Sequence, residues 1–394
     1  MRVALLTNAL PPYRLPVYRD LAATPGWQLR LLLCATSEPH WRAPFEDAFA
    51  AGRAELDAVV VPGLGFERRQ LTHRETGVAQ QVTAYVPWGA FGALQRFRPD
   101  VVVSGELGAR SAIAAAFASW SRTPLVLWSY HARVSAAAAT PARRWLRRRL
   151  LARADAVVGM GRQAREVLAS LGVPEAKIFD APNAHDAAGF ERALAGEDLV
   201  ALRHALRGAT GARERIALVA GRLVPVKGIL PLLAAWSRVP EALRAGWTLL
   251  FVGDGSLAHA VRDAARARPG EVAHLPEVAP GRMPAIHAAA DLHVFASLGD
   301  TWGLVVNEAL ACGVPVLCSR LAGCADDLIA PGENGWLFDP IDPDAAARAL
   351  ATALSCDALP HMGERARIAA KRFGPEAMAA GLRRAIHFAA STEP

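Results

Sequence analysis

Short runs of leucine and valine alternate with alanine- and arginine-rich stretches along this chain, and this alternation limits the fold more than any other feature. The apolar runs are bounded by glycine, proline or asparagine, which is typical of buried strands in a parallel sheet. The stretches between them, such as Tyr13–Ala22 and Arg162–Val173, have helical periodicity. Strands that alternate with helices predict an α/β fold with a doubly wound parallel sheet. The predicted strands lie in RVALLTN, WQLRLLLCA, AVVVPG, DVVVSG, TPLVLWS, DAVVGMG, RIALVAGR, WTLLFVGDG, EVAHLPEV, DLHVFAS and VPVLCS.

The alternation occurs twice, on either side of a polar helical stretch at Glu191–Glu214, and this predicts two domains. A chain of 394 residues also exceeds the size at which a single core usually stops growing. The expected crossing point is PNAHDAA, Pro182–Ala188. We therefore predict an N-terminal domain over 1–185, a C-terminal domain over 186–373, and a C-terminal helix over 374–394 that packs back towards the first domain. Open parallel sheets bind ligands at the carboxyl ends of their strands, so we expect the site in a cleft between the domains.

Composition and charge narrow the class of protein further. The chain is 52% apolar and 21% charged, as expected of a globular protein with a sizeable core. Its net charge of +7 is uneven, because residues 1–190 carry a net +8 and residues 191–394 a net −1, which suggests different partners for the two domains. The first residues read as a strand and not as a signal peptide, and the apolar run Ser111–Ser121 is about half as long as a membrane-spanning helix. No basic-aromatic module for nucleic acid is present.

The residues that usually hold metals lack metal-site spacing. The five cysteines include no C-x-x-C pair and no histidine at zinc-site distance, so we expect small core residues in a reducing cytoplasm. No D-x-D pair stands at a strand end, and DPDA at Asp342–Ala345 lies far from the motifs described next. We therefore predict neither a metal nor a cofactor.

The first chemical motif is VAGRLVPVKGI, in which a strand turns at Gly221 and two cations follow, Arg222 and Lys227. A planar guanidinium fork and a point charge at a strand-to-helix turn suit a diphosphate. Two solvated surface cations are the alternative interpretation. A second motif, FVGDGSL, places Gly253 after a strand, where glycine permits either close approach to a flat ligand or simply a tight turn.

The third motif is SLGDTWGLVVNEALACG, with two carboxylates, Asp300 and Glu308, around a predicted helix start near Trp302–Gly303. The free N–H groups and positive dipole end of such a helix form an anion site. Glu308 lies about 8 Å along the helix axis, at 1.5 Å per residue, which matches the separation between the phosphates and the ribose of a nucleotide. The alternative is a carboxylate in the first turn and a partly buried glutamate paired with an arginine.

Together these motifs resemble the C-terminal half of the family-four glycosyltransferases, the retaining "group 1" type with the GT-B architecture of two Rossmann-like domains facing each other across a cleft. The resemblance rests on G-R-L-x(3)-K-G, V-G-x-G and an E-x(7)-E signature at Asp300–Glu308, in matching order over about 125 residues. Asp300 stands where the family usually has glutamate, and Trp302 replaces a common phenylalanine.

The resemblance implies a role for each matching position in the donor site. Arg222 and Lys227 would grip the diphosphate, Glu308 the ribose diol and Asp300 the hydroxyls of the transferred sugar. The implied donor-binding residues are Gly221, Arg222, Lys227, Gly253, Val278, Asp300, Thr301, Trp302, Gly303, Leu304 and Glu308, and the implied catalytic residues are His131, Arg222, Lys227 and Asp300.

The N-terminal half resembles the family more loosely, and its candidates are acceptor-binding residues. His131 follows the strand TPLVLW, where the family often has a histidine facing the reacting sugar; a structural histidine is the alternative. Tyr13 and Arg14 follow the first strand and would face the cleft, although Arg14 in solvent at a helix start is nearly as well supported. Glu106 lies at another strand end. PNAHD resembles the P-N-x-x-D that precedes the second domain in the family.

Six arginines crowd the predicted helix Arg143–Arg153, with Trp145, Leu146 and Leu150 as an apolar stripe. Such a helix could contact an anionic membrane surface from the cytoplasm, as a peripheral membrane protein would. The solvated outer face of an ordinary helix is the alternative.

The motifs and the family resemblance together predict a metal-independent hexosyltransferase that uses a UDP- or GDP-sugar and a glycan, polyprenyl-linked glycan or other hydroxyl acceptor, in surface polysaccharide assembly. Retention of configuration is what the resemblance implies. A GT-B sugar-nucleotide epimerase and a non-catalytic nucleotide-sugar-binding partner subunit are the alternatives. An NAD dehydrogenase is disfavoured because TNALPP follows the first strand in place of G-x-G-x-x-G.

Overall fold

The structure is a computed structural model that describes residues 1–35, 43–73 and 75–391. Its chain forms two compact units. Unit 1 comprises Met1–Gln70, Gln81–Ala184 and Gly374–Pro394, and unit 2 comprises Leu71–Gln80 and His185–Phe373.

The strands are short and mostly buried. They are β1 Arg2–Thr7, β2 Gln28–Leu33, β3 Ala58–Val60, β4 Leu64–Leu71, β5 Ala79–Val86, β6 Val101–Gly105, β7 Leu125–Ser129, β8 Ala156–Gly159, β9 Ile178–Asp180, β10 Arg215–Ala220, β11 Trp247–Val252, β12 Val272–Leu275, β13 Leu292–Phe295, β14 Val316–Ser319 and β15 Gly335–Phe338.

The helices fill the connections between strands. They are α1 Leu15–Ala22, α2 Ala43–Glu55, α3 Gly89–Phe97, α4 Ala109–Ser121, α5 Arg133–Ala137, α6 Pro141–Arg153, α7 Arg162–Ser170, α8 Ala187–Leu194, α9 Leu199–Thr210, α10 Ile229–Arg238, α11 Glu241–Arg244, α12 Ala258–Ala267, α13 Met283–Ala288, α14 Leu304–Ala311, α15 Ala325–Leu328, α16 Pro343–Leu354, α17 Leu359–Ala370 and α18 Pro375–Ser391.

Unit 1 is built on a seven-stranded sheet with the order β3-β2-β1-β6-β7-β8-β9, in which every pair is parallel. Alternate side chains of β1 enter separate cores on the two faces of the sheet. Val3 and Leu5 belong to the core under α1 and α18, whereas Ala4 and Leu6 belong to the core under α3, α4 and α6. A sheet covered on both faces explains why its strands are continuous apolar runs.

Unit 2 repeats the plan with six parallel strands in the order β12-β11-β10-β13-β14-β15. One face carries a core of β10, β11 and β13 side chains packed with α10, α12 and α16, and Trp236 of α10 is fully buried there. In both units the strand order reverses beside the first strand, between β1 and β6 and between β10 and β13. Crevices that open at the carboxyl ends of such strands are the usual ligand sites of doubly wound sheets.

The predicted α/β class with two doubly wound parallel sheets is confirmed. Sequence analysis did not predict the two-stranded sheet of β4 and β5, or the edge strands β9 and β15. β4 carries Glu67, Arg68 and Arg69 and is largely exposed, so it lacks the apolar run that marks the buried strands. β9 and β15 are short edge strands of three and four residues. The last three positions of the predicted helix 374–394 lie outside the described residues.

Candidate functional site

The residues implied for the donor site all belong to unit 2 and follow the carboxyl ends of its strands. Gly221 directly follows β10, Gly253 directly follows β11, and Val278 comes shortly after β12. Asp300 lies in the loop between β13 and α14. Because the strands are parallel, these ends lie along one edge of the sheet, and β10 and β13 meet where the strand order reverses.

The loop after β10 is fixed against the end of β13. Gly228 has a φ of 70°, and a Cβ at this position would overlap with the carbonyl oxygen of Ala296. The N–H of Leu298 donates to the carbonyl of Val226 over 2.8 Å, which ties the two loops together. Only glycine satisfies both the left-handed backbone and the close approach. This packing places Lys227 beside the loop that carries Asp300.

Lys227 and Asp300 form an ion pair, with Nζ 2.6 Å from Oδ2. The N–H of Trp302 donates to the other carboxylate oxygen over 3.1 Å. Burial alone would raise the pKa of Asp300, but the charge and hydrogen bond of Lys227, the Trp302 N–H and the charge of Arg222 together lower it below its usual value. Asp300 is therefore ionised at neutral pH, and an exposed guanidinium, Arg222, adds positive charge nearby.

Helix α14 begins at Leu304, one residue after the predicted start at Trp302–Gly303. Gly303 precedes it with a φ of 106°, and buried Trp302 anchors the entry because its Nε1–H donates to Oδ1 of Asn307 over 2.8 Å. The first N–H groups of a helix have no partner within the helix and lie at the positive end of its dipole. The segment Thr301–Leu304 therefore offers backbone donors next to the Lys227–Asp300 pair.

Glu308 lies one turn into α14 and contacts a histidine, where the structural alternative in the sequence analysis proposed an arginine. Its Oε2 is 3.4 Å from Nε2 of His287, which is fully buried on α13. Burial would raise the pKa of Glu308, but His287, with a smaller contribution from His185, lowers it. The rings of His287 and His293 are 5.4 Å apart. We call His185, His287 and His293 the histidine cluster.

Sequence reasoning missed the histidine cluster. His185 lies before α8, His287 on α13 and His293 on β13. About 100 residues separate the first from the other two, so no sequence motif contains all three. Only the packing of α8, α13 and α14 against one another brings them to Glu308.

In unit 1, Glu106 belongs to a polar network at the ends of β1 and β6. Its Oε1 accepts a hydrogen bond from Asn8 over 3.2 Å, and its Oε2 is 3.5 Å from Nη2 of Arg110. Arg110 is buried and also donates to the Gly105 carbonyl and to Asn8. Glu106 itself has a φ of 66° and a side chain that is 47% exposed, so one of its faces is open to solvent.

Arg14 does not extend into solvent, which contradicts one of the two interpretations left open by the sequence. Its guanidinium carbon lies 4.9 Å from the ring centre of Trp128 and 4.7 Å from that of Tyr130, and it donates to the Tyr130 hydroxyl over 3.2 Å. Tyr13 also contacts the guanidinium. Cation–π contacts of this kind hold the charge at the carboxyl edge of β1 and β7.

His131 follows β7 in unit 1 and is only partly exposed. Its Nδ1 is 3.2 Å from the hydroxyl of Ser129. Burial and the charge of Arg147 lower its pKa to about 3, so the ring is neutral at physiological pH. A neutral imidazole can orient a hydroxyl through a hydrogen bond.

Metal-binding clusters and membrane-spanning helices are both absent from residues 1–35, 43–73 and 75–391. No group of three or more His, Cys, Asp or Glu side chains within them is arranged to hold a metal ion. None of the helices described combines the length and the apolar character needed to cross a membrane.

Two family models match the chain. The model for "Glycosyl transferases group 1" matches residues 206–372, and the model for "Glycosyl transferase 4-like domain" matches residues 11–184. Together they cover more than four-fifths of the chain, and each falls mainly within one of the two units.

Curated relatives match over shorter stretches. The O-antigen chain mannosyltransferase B of Escherichia coli is 32% identical over 146 residues, which are 36% of this chain and 37% of the relative. A D-inositol 3-phosphate glycosyltransferase of Segniliparus rotundus is 34% identical over 176 residues, 43% of this chain and 39% of the relative. The chain thus spans about two-fifths of the length of these relatives.

Among solved structures, Anabaena HepE in complex with UDP matches 98% of this chain and 100% of its own, with a TM-score of 0.74 and 19% identity. At this identity the likeness shows the fold, and the predicted GT-B class is confirmed. The two family models and this fold make the chain a member of the group 1 glycosyltransferases with the GT-B architecture.

Proposed function

We propose that the protein is a retaining, metal-independent hexosyltransferase that moves a sugar from a nucleoside diphosphate, UDP or GDP, to the hydroxyl of a glycan or lipid-linked glycan. The relatives support a transferase of this kind, since one is named a mannosyltransferase and another an inositol-phosphate glycosyltransferase. The structural neighbour HepE contains UDP, which supports a nucleotide-linked donor. Surface polysaccharide assembly is the proposed setting.

The observation that carries the proposal is the Lys227–Asp300 pair beside the first N–H groups of α14. Here a cation, a carboxylate and free backbone donors meet at the edge where β10 and β13 end. In the proposed complex, Arg222, Lys227 and the N–H groups of Thr301, Gly303 and Leu304 bind the diphosphate, while the Trp302 N–H holds Asp300.

The remaining donor residues would recognise the nucleoside and the sugar. Glu308 accepts hydrogen bonds from the two ribose hydroxyls, and its lowered pKa keeps it ionised for that role. Asp300 accepts hydrogen bonds from hydroxyls of the transferred sugar through the carboxylate lone pairs that Lys227 and the Trp302 N–H do not use. The backbone at Gly221, Gly253 and Val278 lies against the base.

The proposed chemistry is a same-face substitution at the anomeric carbon. The bond between that carbon and the diphosphate oxygen breaks, the acceptor oxygen forms the new glycosidic bond, and the proton of the acceptor hydroxyl passes to the departing phosphate oxygen. Lys227, Arg222 and the α14 N-terminus offset the charge that develops on the diphosphate. In the proposed mechanism no metal is needed for this purpose.

The acceptor is proposed to bind to unit 1. Neutral His131 orients a hydroxyl, and Glu106 presents its open face to another. Arg14 and Tyr13 supply a cation and a ring at the end of β1. We keep the sequence-based domains, 1–185, 186–373 and a C-terminal segment 374–394, as part of this proposal.

A cytoplasmic location at the inner face of the membrane completes the proposal. It is supported by the arginines of Arg143–Arg153, of which Arg144, Arg148 and Arg149 are exposed on α6 together with Trp145. Basic amphipathic helices of this kind are attracted to anionic lipid surfaces.

Turnover of candidate donors tests the proposal. Purified protein would be incubated with UDP- and GDP-hexoses and lipid-diphosphate or glycan acceptors, with and without EDTA, and the anomeric configuration of the product read by NMR. We expect acceptor-dependent release of one nucleoside diphosphate, retention of configuration and no effect of EDTA. Lys227→Ala should reduce the rate at least about a hundredfold.

The matched control is Lys371→Ala. Lys371 also pairs with a carboxylate in unit 2, Glu191 at 3.1 Å, but its side chain is 63% exposed and lies outside the candidate site. Equal rates in both variants and the wild type would contradict the assignment of the site, and an inverted product would contradict retention.

A further inference from the structure

A basic groove lies on the flank of unit 1 between α5, α6 and α7. None of the donor and acceptor candidates named above lines it, although the charge of Arg147 acts on His131, two residues before α5. Its volume is about 470 Å³, within the range of small-molecule sites, which is roughly 300–1,000 Å³. It is lined by Arg133, Ala136 and Ala137 of α5, Arg144, Arg147 and Arg148 of α6, Glu166, Val167 and Ser170 of α7, and Leu171.

The charges of the groove do not balance. Glu166 already pairs with Arg133 through two hydrogen bonds, of 2.6 and 2.8 Å, so these two side chains neutralise each other. Across the part of the chain that the structure describes, Arg144, Arg147 and Arg148 pair with no carboxylate. Three guanidinium groups thus remain uncompensated along one wall of the groove.

Arg147 is the residue that points to a ligand. Its side chain is nine-tenths buried. Burial and the repulsive charge of neighbouring Arg143 lower the pKa of its guanidinium to about 10. A buried cation without a counter-charge destabilises a fold. The groove into which the side chain projects would supply that counter-charge if it held an anion.

The sequence sets up this wall through helical spacing. Arg144, Arg147 and Arg148 are three and four residues apart, so they share one face of α6. Thr140 caps the helix by accepting from the Arg143 N–H over 3.4 Å, which fixes where the face begins. Arg149 falls outside this face and lies over the ring of Trp145 at 5.6 Å.

We propose that the groove between α5, α6 and α7 binds the phosphoryl group of a phosphate ester, held by Arg147 with Arg144 and Arg148 at its rim. Arginine forks match the geometry of phosphate oxygens and outnumber the one carboxylate, which is already paired. This site differs from diffuse attraction of α6 to a charged surface, because a single buried residue should control it. It does not depend on the donor-site assignment.

Calorimetric titration of inorganic phosphate and glycerol phosphate tests the proposal on wild type, Arg147→Gln, Arg149→Gln and Lys227→Ala. Arg149→Gln removes the same charge from the same helix outside the groove, and Lys227→Ala removes a cation from the proposed donor site. We expect Arg147→Gln to weaken binding at least tenfold and the other two variants to bind like the wild type. Arg147→Gln should also raise the melting temperature, since it removes an uncompensated buried charge.

Absence of phosphate binding to the wild type at millimolar concentration would overturn the proposal. So would binding that persists in Arg147→Gln but is lost in Lys227→Ala, because the phosphate would then occupy the donor site. That second outcome would overturn the groove site but leave the proposed function intact. Phosphate binding to the groove that persists in Lys227→Ala would support the groove site and would not test the donor site.

Vesicles distinguish the two sources of a phosphoryl group. Sedimentation with phosphatidylcholine vesicles, with and without phosphatidic acid, would be compared in Arg147→Gln and Arg149→Gln. If only Arg147→Gln loses binding to the phosphatidic acid vesicles, the ligand is a lipid headgroup. If no protein binds the vesicles but Arg147→Gln alone loses binding to glycerol phosphate, the ligand is a soluble phosphate ester. Equal loss in both variants in both assays overturns the site, because only diffuse surface charge behaves in that way.

Discussion

The ion pair between Lys227 and Asp300 joins two residues to which sequence reasoning gave separate tasks. Each side chain is only about a quarter exposed, so the pair is stronger than a surface salt bridge. Loss of Lys227, the cation proposed to bind the diphosphate, would also leave Asp300, the carboxylate proposed to face the sugar, without its partner. Phosphate binding and sugar orientation are therefore coupled in the proposed site.

Asp300→Asn should lower the free energy of unfolding at pH 7 by about 1–2 kcal/mol, because Lys227 loses its charged partner. The pKa of Asp300 is lowered in the folded state, so its contribution is present above the unfolded value near 4 and is lost as pH falls through the folded value. Denaturant unfolding between pH 7 and pH 3 should show the difference between the two proteins begin to shrink once the pH falls below about 4.

The matched control for this prediction is Asp344→Asn, since Asp344 pairs with Arg238 at 2.6 Å but is 69% exposed. It should change stability by less than about 0.5 kcal/mol. If Asp300→Asn lowers the free energy of unfolding no more than Asp344→Asn does, the buried pair stabilises the protein no more than an exposed pair.

His287 is expected to position Glu308. His287→Leu should weaken binding of a nucleoside diphosphate about tenfold and make the loss steeper as pH falls from 7 to 5, because Glu308 would lose the group that lowers its pKa. Calorimetric titration of the nucleoside diphosphate at several pH values measures the loss of binding. The control is His259→Leu, at an exposed position. A uniform loss at all pH values would indicate a packing defect instead.

At the scale of elements, the donor-site geometry depends on two loops packed face to face at the ends of β10 and β13. Gly228 is the tightest point of that packing. Gly228→Ala combines an unfavourable φ with overlap on the carbonyl of Ala296, so it should cost more than about 1 kcal/mol of stability and also reduce nucleotide binding.

Gly281→Ala provides the comparison for Gly228→Ala in a thermal melt. Gly281 lies in a short turn before α13, and open space surrounds the position of its Cβ. This variant should melt within about 1 °C of the wild type or slightly above it. Equal melting temperatures for both variants would show that the two loops adjust freely.

The elements that sequence alone predicts well are those with a strong local period. Buried strands such as LVLW and helices such as α7 follow from apolar runs and helical spacing, and the start of α14 was predicted to within two residues. The β4 and β5 pair was missed because β4 is polar and largely exposed and β5 is only partly buried, so neither forms an apolar run. The contact between Glu308 and His287 was missed because it depends on how α13 packs on α14.

For the whole molecule, acid should destabilise the fold through the histidine cluster. Burial and the nearby charge of His287 lower the pKa of His293 well below its usual value, and the residue is fully buried. The unfolded chain binds a proton there below about pH 6.5 but the folded chain does not, so stability falls by about 1.4 kcal/mol per pH unit for one such group.

His293→Leu should therefore flatten the fall of the melting temperature between pH 6.5 and pH 5. His361→Leu, at an exposed position of α17, removes a histidine without this effect and serves as the control. Identical pH profiles for the wild type and His293→Leu would show that His293 protonates freely in the folded protein.

Sequence and structure differ in what they reveal about the whole molecule. The order and spacing of the motifs in the second half of the chain predicted the family, and the group 1 family model matches that half, residues 206–372. The acceptor candidates have no such local mark, because Tyr13, Glu106 and His131 follow different strands of unit 1 and are far apart in the sequence. The uncompensated charge of Arg147 likewise depends on packing between helices.

The central claim is that unit 2 binds a nucleoside diphosphate through Lys227 and Glu308, and direct calorimetric titration of UDP and GDP tests it. We predict saturable binding of one of them to the wild type, at least about tenfold weaker binding to Lys227→Ala and to Glu308→Gln, and unchanged binding to Lys371→Ala and to Glu333→Gln at an exposed pair. Binding that is the same in all five proteins, or absent from the wild type, would contradict the account.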